Sequence, residues 1–337
     1  MGKKLRIGII GCGAQAQLAY IPAFRRNHAC EIVALCDTDV RKLNAIGSRY
    51  NIKKRYEDFD DLRNDPEVDA VLIATPNYLH APMAIGAMEY GKDVLCEMPM
   101  AVNSSDAIEM CETAKREKRK LIPCLNDRLR PDVITIKKFI DGGELGSIYY
   151  TKGGWLRGKT EWSLTSWWGE RLRAGGGVFL SLGSQILDFA LSLLEPAKPV
   201  SVVGTIYKRE IAAEVEDTAF ALLRFPSDLV LTIEVGWSLL QEKDFTYFNI
   251  FGNKGAALLN PIQIHREMHG HLVNVTPSLP EKDFQKASYQ LLVDLFVDAI
   301  LKGIECPIRC EDALLINQII DAFYESANTK KEVAIIT

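Results

Sequence analysis

KLRIGIIGCGAQAQLAY, residues 4–20, decides how the rest of the chain is read. Lys4 to Ile10 is a short, largely apolar run with the length of a buried strand. It breaks at a glycine turn into a helical stretch, Ala14 towards Phe24, interrupted by Pro22. At the break, Gly11, Gly13 and Ala16 spell GxGxxA. The first glycine permits a tight turn, the second lets the main chain approach a pyrophosphate, and the alanine is small enough for helix and strand to pack closely. The backbone N–H groups from Gly11 through Cys12, Gly13, Ala14 and Gln15 would then meet a diphosphate at the positive end of the helix. A glycine turn without a ligand shares this spacing, so the strand before it and the helix after it give the motif its weight.

The next strand, Glu31 to Cys36, runs into Asp37. An acid about 20 residues past the glycines accepts hydrogen bonds from the adenosine ribose hydroxyls, and its charge repels a 2′-phosphate. NAD is therefore preferred to NADP, although Arg41 keeps NADP open, and a helix-capping role is the structural alternative for Asp37.

Outward from this unit the pattern alternates. A helix over 39–46 ends at Gly47, a strand over 69–74 enters the turn TPN, a helix covers 79–89, and a strand covers 93–96 after Gly91. A helix over 103–118 follows, capped by Asn103 or Ser104, and the basic run 115–120 sits in its last turn, where cations oppose the helix dipole. Such alternation implies a doubly wound parallel sheet covered on both faces. After about residue 125 the character changes. Helices are read at 131–140 and 178–194 and a strand at 147–155, with a Trp-rich loop and GGG between. Strands are read at 199–209, 214–225, 228–239, 244–252 and 256–266, before helices at 284–301 and 311–327. The chain thus divides into residues 1–124, a dinucleotide-binding domain, and 125–337, an α/β domain with an open, largely antiparallel mixed sheet.

Composition agrees. Two domains suit 337 residues, and 47% hydrophobic with 25% charged residues is ordinary for a globular chain. Forty basic against forty-four acidic side chains, a net charge of −4, give no reason to expect nucleic acid, and no uninterrupted apolar run approaches a membrane span. Eight scattered cysteines read as reduced thiols in a cytoplasm, since a chain of this size needs no staples. Cys306 and Cys310 lack the second pair a structural zinc site requires, and His265, His269 and His271 read as turn histidines, so no metal is expected. The N-terminus superficially resembles a secretory signal, but its apolar core is too short.

Further motifs, in order, are ATPNYLH at 74–80, GKDVLCEMP at 91–99, NDRLRPD at 126–132, GELGSI at 143–148, GGGVFLSLGSQILDF at 175–189, EDTAF at 216–220, GNKG at 252–255 and EDAL at 311–314. With GCGAQAQ they make the chain resemble the Gfo/Idh/MocA oxidoreductases over nearly its whole length. The resemblance implies a Rossmann domain followed by a domain whose open sheet often serves oligomer contacts, and substrates that are mainly sugars, cyclitols and their derivatives. It also implies a homo-oligomer, a dimer or tetramer. By the same resemblance Thr75, Pro76 and Asn77 lie beside the nicotinamide half of the cofactor and His80 supports that loop, packing being the alternative for His80. Glu97 faces the nicotinamide ribose, and Pro99 matches a proline that is commonly cis.

The pattern departs where chemistry is expected. The family's EKP reads Glu97, Met98, Pro99; in its DxGxxxH motif Ser181 stands for the aspartate and Gln185 for the histidine. A thioether cannot move a proton. General acid–base help is worth roughly 3–5 kcal/mol and positioning roughly 7–11, so hydride transfer survives such losses. Tyr149, Lys152, Arg157 and Arg173 are possible substitutes; Asn126, Arg128, Trp155, Arg157 and Trp168 match positions lining the substrate cleft. The arginines suit a carboxylate or polyhydroxyl ligand and the tryptophans the face of a sugar ring. An NAD-dependent oxidoreductase with non-standard acid and base groups is the leading expectation. A cofactor-binding regulator or scaffold that has lost its chemistry is the alternative, and redox-neutral use of NAD is a third.

Overall fold

The computed structural model describes residues 4–158, 167–209, 213–279 and 283–336. The chain folds as two compact units, Met1–Asn126 with Lys286–Leu314, and Asp127–Gln285 with Leu315–Thr337. Residues 286–314, placed by sequence with everything after 125, thus group with the first unit. The reason lies in side chains that sequence distance hides: Tyr289 meets the ring of Tyr20 edge-on at 5.2 Å, Asp294 accepts from Asn27 at 2.8 Å, and Glu311 pairs with Lys115 at 2.9 Å.

The first unit runs β1 (Leu5–Ile10), a π turn (Ala16–Tyr20) opening into α1 (Ile21–Arg26), β2 (Cys30–Cys36), α2 (Val40–Tyr50), β3 (Lys54–Tyr56), α3 (Phe59–Asn64), β4 (Ala70–Ile73), α4 (His80–Glu89), β5 (Asp93–Cys96), α5 (Ser104–Glu117) and β6 (Leu121–Pro123). Its six strands are all parallel, in the order β3-β2-β1-β4-β5-β6. β4 and β5 are buried along their whole length, as a sheet covered on both faces requires. The order reverses between β1 and β4, where Ile10 lies beside Ile73, so the turns after both strands open at one place.

Two local readings change. Pro22 does not interrupt the helical path, which runs unbroken from Ala14 to Arg26; it lies just after the π turn, in the first turn of α1. Gly47 does not end α2, which continues to Tyr50 and closes on Asn51 at φ 57°. Gly47 instead makes room for Arg55, whose side chain a Cβ would strike. Asn103, rather than Ser104, caps α5, accepting from the Asp106 N–H at 2.8 Å.

The second unit holds α6 (Pro131–Asp141), β7 (Ile148–Gly158), α7 (Arg171–Ala174), a π turn (Phe179–Gly183) leading into α8 (Ser184–Leu194), β8 (Ser201–Tyr207), β9 (Thr218–Arg224), β10 (Val230–Leu239), β11 (Phe245–Gly252), β12 (Gly255–Leu259), β13 (Gln263–Met268) and β14 (His271–Asn274). The chain ends with α9 (Phe284–Leu301), α10 (Cys310–Thr329) and β15 (Val333–Ala334). Nine strands pair in the order β14-β13-β12-β11-β7-β10-β9-β8-β15, antiparallel except for β10 on β7. The single strand read over 256–266 is two, because Asn260 at φ 65° and Pro261 turn the chain between them. His269 and Gly270, both at positive φ, make the hairpin turn that precedes β14. Part of the Trp-rich loop, residues 159–166, lies outside the described residues. One segment, Arg171–Leu194, has the length and apolarity of a membrane span, but most of it is buried within the fold, as a core helix is.

Candidate functional site

At the end of β1 the chain turns through Gly11 at φ +88°, and a Cβ there would collide with the Ala74 carbonyl that follows β4. Only glycine satisfies both conditions. A Cβ on Gly13 would meet nothing within 4 Å, so the loop faces open space, and Ala14 and Gln15 at the helix opening are exposed. Ala16 is buried, as close packing of helix on strand demands. Asp37 closes the other side. One carboxylate oxygen accepts from the Cys12 N–H at 2.7 Å and the other from the Asp39 N–H at 2.8 Å, while Lys42 Nζ lies 3.5 Å away. The cap of α2 is Asp39, which accepts from Arg41 and Lys42 N–H groups, so Asp37 is not spent on capping. An ionised carboxylate has about four acceptor positions, which leaves capacity for ribose hydroxyls.

Beside this turn, Thr75 and Pro76 are half-buried and Asn77 is buried. Thr75 Oγ1 is buried without a hydrogen-bond partner, a costly arrangement that a bound polar group would relieve. His80 is enclosed, with Nδ1 2.8 Å from the Pro99 carbonyl and Nε2 2.8 Å from the Thr75 carbonyl; burial pulls its pKa down. Its ring lies between the two loops, and as a neutral imidazole with one N–H it donates to one of these carbonyls at a time. The Met98–Pro99 bond is cis, and the Met98 N–H donates to Glu97 Oε2 at 2.8 Å. From Lys92 to Ala101 every residue is buried except Glu97 and Met98. Open glycine turn, available acid and orphaned hydroxyl together fit a nicotinamide dinucleotide.

In the second unit a comparable pattern recurs. Between Gly176 and Leu191 only Ser181 and Gln185 are not buried. They sit one helical turn apart, and Gln185 Nε2 donates to the Ser181 carbonyl at 3.4 Å. Buried Glu216 holds the start of this helix, accepting from the N–H groups of Gly177 and Phe179 at 3.1 Å each and from Tyr324 OH at 2.8 Å; burial raises its pKa. Gly153 of β7 lets the helix approach, since a Cβ there would press on Ile186. Trp155 and Arg157 share the parity of Gly153, and Arg157 pairs with Asp244 at 3.2 Å. Lys152 has the opposite parity: its Nζ lies 5.8 Å from the Tyr247 ring, lining a hollow of about 350 Å³ with Glu234 on the other side of the sheet. Trp168 stacks on Trp167 at 4.2 Å, Tyr149 is exposed, and Arg173 pairs with Glu170 at 3.3 Å.

Two further predicted substrate residues also have internal partners. Asn126 Nδ2 donates to Ser288 Oγ at 3.1 Å within the first unit, and Arg128 is held by buried Asp188 at 2.6 Å in the second. Neither partner was legible, because each lies far along the chain. Asp127 also escaped sequence reading: burial, with help from Asp188 and Asp132, raises its pKa to about 6. Among the described residues no group of three metal-ligating side chains occurs.

A doubly wound sheet with a glycine turn at its reversal point, joined to a mixed-sheet unit with a half-open helix, defines a two-domain nicotinamide-dependent dehydrogenase architecture. The chain belongs to the Gfo/Idh/MocA family: the oxidoreductase model described as an NAD-binding Rossmann fold matches residues 5–124, and the GFO/IDH/MocA C-terminal domain matches 133–258. It is accordingly an NAD-dependent oxidoreductase. It is 25% identical to the D-glucoside 3-dehydrogenase of Escherichia coli K12, over 96% of each chain. Among solved structures, the aldose-aldose oxidoreductase of Caulobacter crescentus with glycerol is 27% identical, at a TM-score of 0.86 over 98% of this chain and 100% of that one. A levoglucosan dehydrogenase with NADH and levoglucosan shares the fold, at a TM-score of 0.88 and 22% identity over 99% of this chain and 100% of that one.

Proposed function

We propose that the protein transfers a hydride between NAD and a sugar-like, cyclitol or carboxylated small molecule, with non-standard acid and base groups. The observation that carries this reading is the pattern of exposure. In two otherwise buried segments, the open positions are Glu97 with Met98, and Ser181 with Gln185. A degenerate scaffold has no need to keep such positions open. The likeness to the glucoside dehydrogenase and the aldose-aldose oxidoreductase supports a polyhydroxylated substrate.

Bound NAD supplies the hydride acceptor and its reduced form the donor. The amides from Gly11 to Gln15 hold the diphosphate, and Asp37 takes the adenosine ribose and disfavours a 2′-phosphate. Glu97 and the Thr75–Asn77 loop hold the nicotinamide half. Met98 lines the pocket without charge, and Ser181 and Gln185 orient substrate hydroxyls by neutral hydrogen bonds, so the proton leaves through water or a neighbouring substrate hydroxyl. Trp155, Arg157 and Trp168 serve the substrate, while Asn126 and Arg128 shape its surroundings through Ser288 and Asp188. Without a positive charge at position 98, an activated carbonyl is reduced more readily than an ordinary alcohol is oxidised.

A panel of sugars, sugar acids, cyclitols and activated carbonyls, followed by nicotinamide absorbance in both directions, tests this. Turnover of a polyhydroxylated compound is expected; tight NAD binding with no turnover anywhere would establish the scaffold alternative, and product without net NADH the redox-neutral one. The same reading places a second copy of the chain on the open sheet face, where Val203, Phe220 and Tyr207 are exposed and Tyr150 stacks on Phe251 at 5.7 Å. Light scattering should then give a dimer or tetramer.

A further inference from the structure

Glu216 and Tyr324 have no part in the hydride transfer proposed above, yet the turn that carries Ser181 is fixed through them. The carboxylate of Glu216, a residue 5% exposed, accepts from the N–H groups of Gly177 and Phe179 at 3.1 Å each. Its main-chain carbonyl accepts from the N–H between them, that of Val178, also at 3.1 Å. One residue thus satisfies three successive amides at the opening of the π turn, where a helix start leaves such donors without partners. An anion there also meets the positive end of the helix. Tyr324, on α10, closes the arrangement: its OH donates to Glu216 Oε1 at 2.8 Å and shares the Gly177 N–H, accepting it at 3.1 Å. Its neighbour Phe323 stacks on Phe179 at 3.5 Å, so α10 grips the turn by main chain and side chain at once. Gly176 and Gly177 are what this closeness demands: a Cβ on the first would strike the Tyr324 OH, and one on the second the Glu216 carbonyl.

Fixing the start of the turn fixes what lies one turn on. The Ser181 N–H donates to the Gly177 carbonyl at 3.1 Å, and the Ser184 N–H reaches back to the carbonyl of Phe179. The Ser181 carbonyl in turn accepts from Ser184 Oγ at 3.0 Å and from Gln185 Nε2 at 3.4 Å. The two residues whose N–H groups the carboxylate holds, Gly177 and Phe179, are therefore the two whose carbonyls set the winding of the turn, and the Gln185 amide hangs from its end. We infer that Glu216 and Tyr324 are positioning residues for substrate, acting, on the function proposed above, through Ser181 and Gln185. Hydrogen bonds from those two side chains to substrate hydroxyls form on binding and persist in the transition state. Displacing the side chains thus raises KM more than it lowers kcat.

Tyr324→Phe deletes one hydroxyl, keeps the ring of a half-buried residue and should fold. Glu216→Gln is the harsher variant, turning one acceptor oxygen into an amide N–H2 that faces the donors of the turn. Each is compared with the natural protein on a polyhydroxylated compound it turns over, and again in a Ser181→Ala/Gln185→Ala background, with NAD affinity read by calorimetry. Tyr324→Phe should raise KM roughly fivefold or more, the worth of one hydrogen bond, with kcat and NAD affinity within about twofold. Glu216→Gln should lower kcat/KM about 100-fold, the effect of a displacement of about 1 Å. In the Ser181→Ala/Gln185→Ala background both effects should shrink to within about twofold, because the side chains through which they act are gone. A kcat that falls while KM stays unchanged, the mark of fewer folded molecules, would overturn the positioning role, as would equal losses in the two backgrounds. Absence of turnover by the unmodified protein on every sugar, sugar acid, cyclitol and activated carbonyl would instead strike down the function given to Ser181 and Gln185, and this role with it.

Discussion

The glycine turn and the positions read as catalytic differ in what they offer a ligand. Around Gly11 the turn offers main-chain amides and the space that small residues leave, from the glycine at φ +88° to the carboxylate of Asp37 beside the Cys12 N–H. Met98 in the first unit, and Ser181 and Gln185 in the second, keep part of their surface open within otherwise buried segments, and none of the three carries an ionisable group. On the function proposed above, cofactor binding resides in geometry, which tolerates little change, and proton handling in side-chain identity, which can be exchanged without disturbing the fold.

Substitutions at the two sites should separate these roles. Gly11→Val has the largest expected effect: strain at positive φ and collision with the Ala74 carbonyl should cost about 3 kcal/mol or more, at least a roughly 100-fold loss of NAD affinity by calorimetry. Unchanged affinity would remove the glycine turn from the site. Asp37→Ala should weaken NAD by roughly 10- to 100-fold, the worth of a charge-assisted hydrogen bond, and narrow the preference over NADP. An equal loss for both coenzymes would break the assignment of Asp37 to the ribose. Met98→Lys should leave NAD affinity within about threefold while raising kcat about tenfold and adding an ionisation to the pH–rate profile; a flat profile would show that position 98 no longer meets substrate.

A further effect, on stability rather than on binding or turnover, concerns Asp127 in the second unit. Its pKa is about 6 in the fold, against an ordinary 3.8, so the folded state takes up a proton as pH falls through 6 and the unfolded chain only near 4. The buried charge costs stability above pH 6, and the cost disappears as pH drops through that window. Asp127→Asn should therefore be more stable than the natural protein at pH 8 by about 1–3 kcal/mol in urea unfolding, with the difference vanishing by about pH 4. A constant difference across that range would show that Asp127 does not titrate there.

Legibility in the sequence follows the same division. The alternation of the first unit, the glycine turn and Asp37 were readable because each is local: a run of apolar residues, a spacing, an acid at the end of a strand. β3, α3, β6 and β14 were not, since segments of three to six residues are too short to show a period. Gly47 misled because its reason for being glycine is Arg55 crossing above it rather than a helix end. The substrate side was readable only through family resemblance. Arg128 answers to Asp188, sixty residues away, and Lys152 and Trp155 part company only once β7 is placed in its sheet.

His80 lies between two loops with its ring nitrogens against the carbonyl oxygens of Thr75 and Pro99, atoms that every amino acid carries. The side chain at position 98 is thereby released from any duty in bracing the turn. A single base change separates a methionine codon from a lysine codon, so mutation can revisit the electrostatics of this pocket repeatedly, and reversibly, without first dismantling what grips the coenzyme.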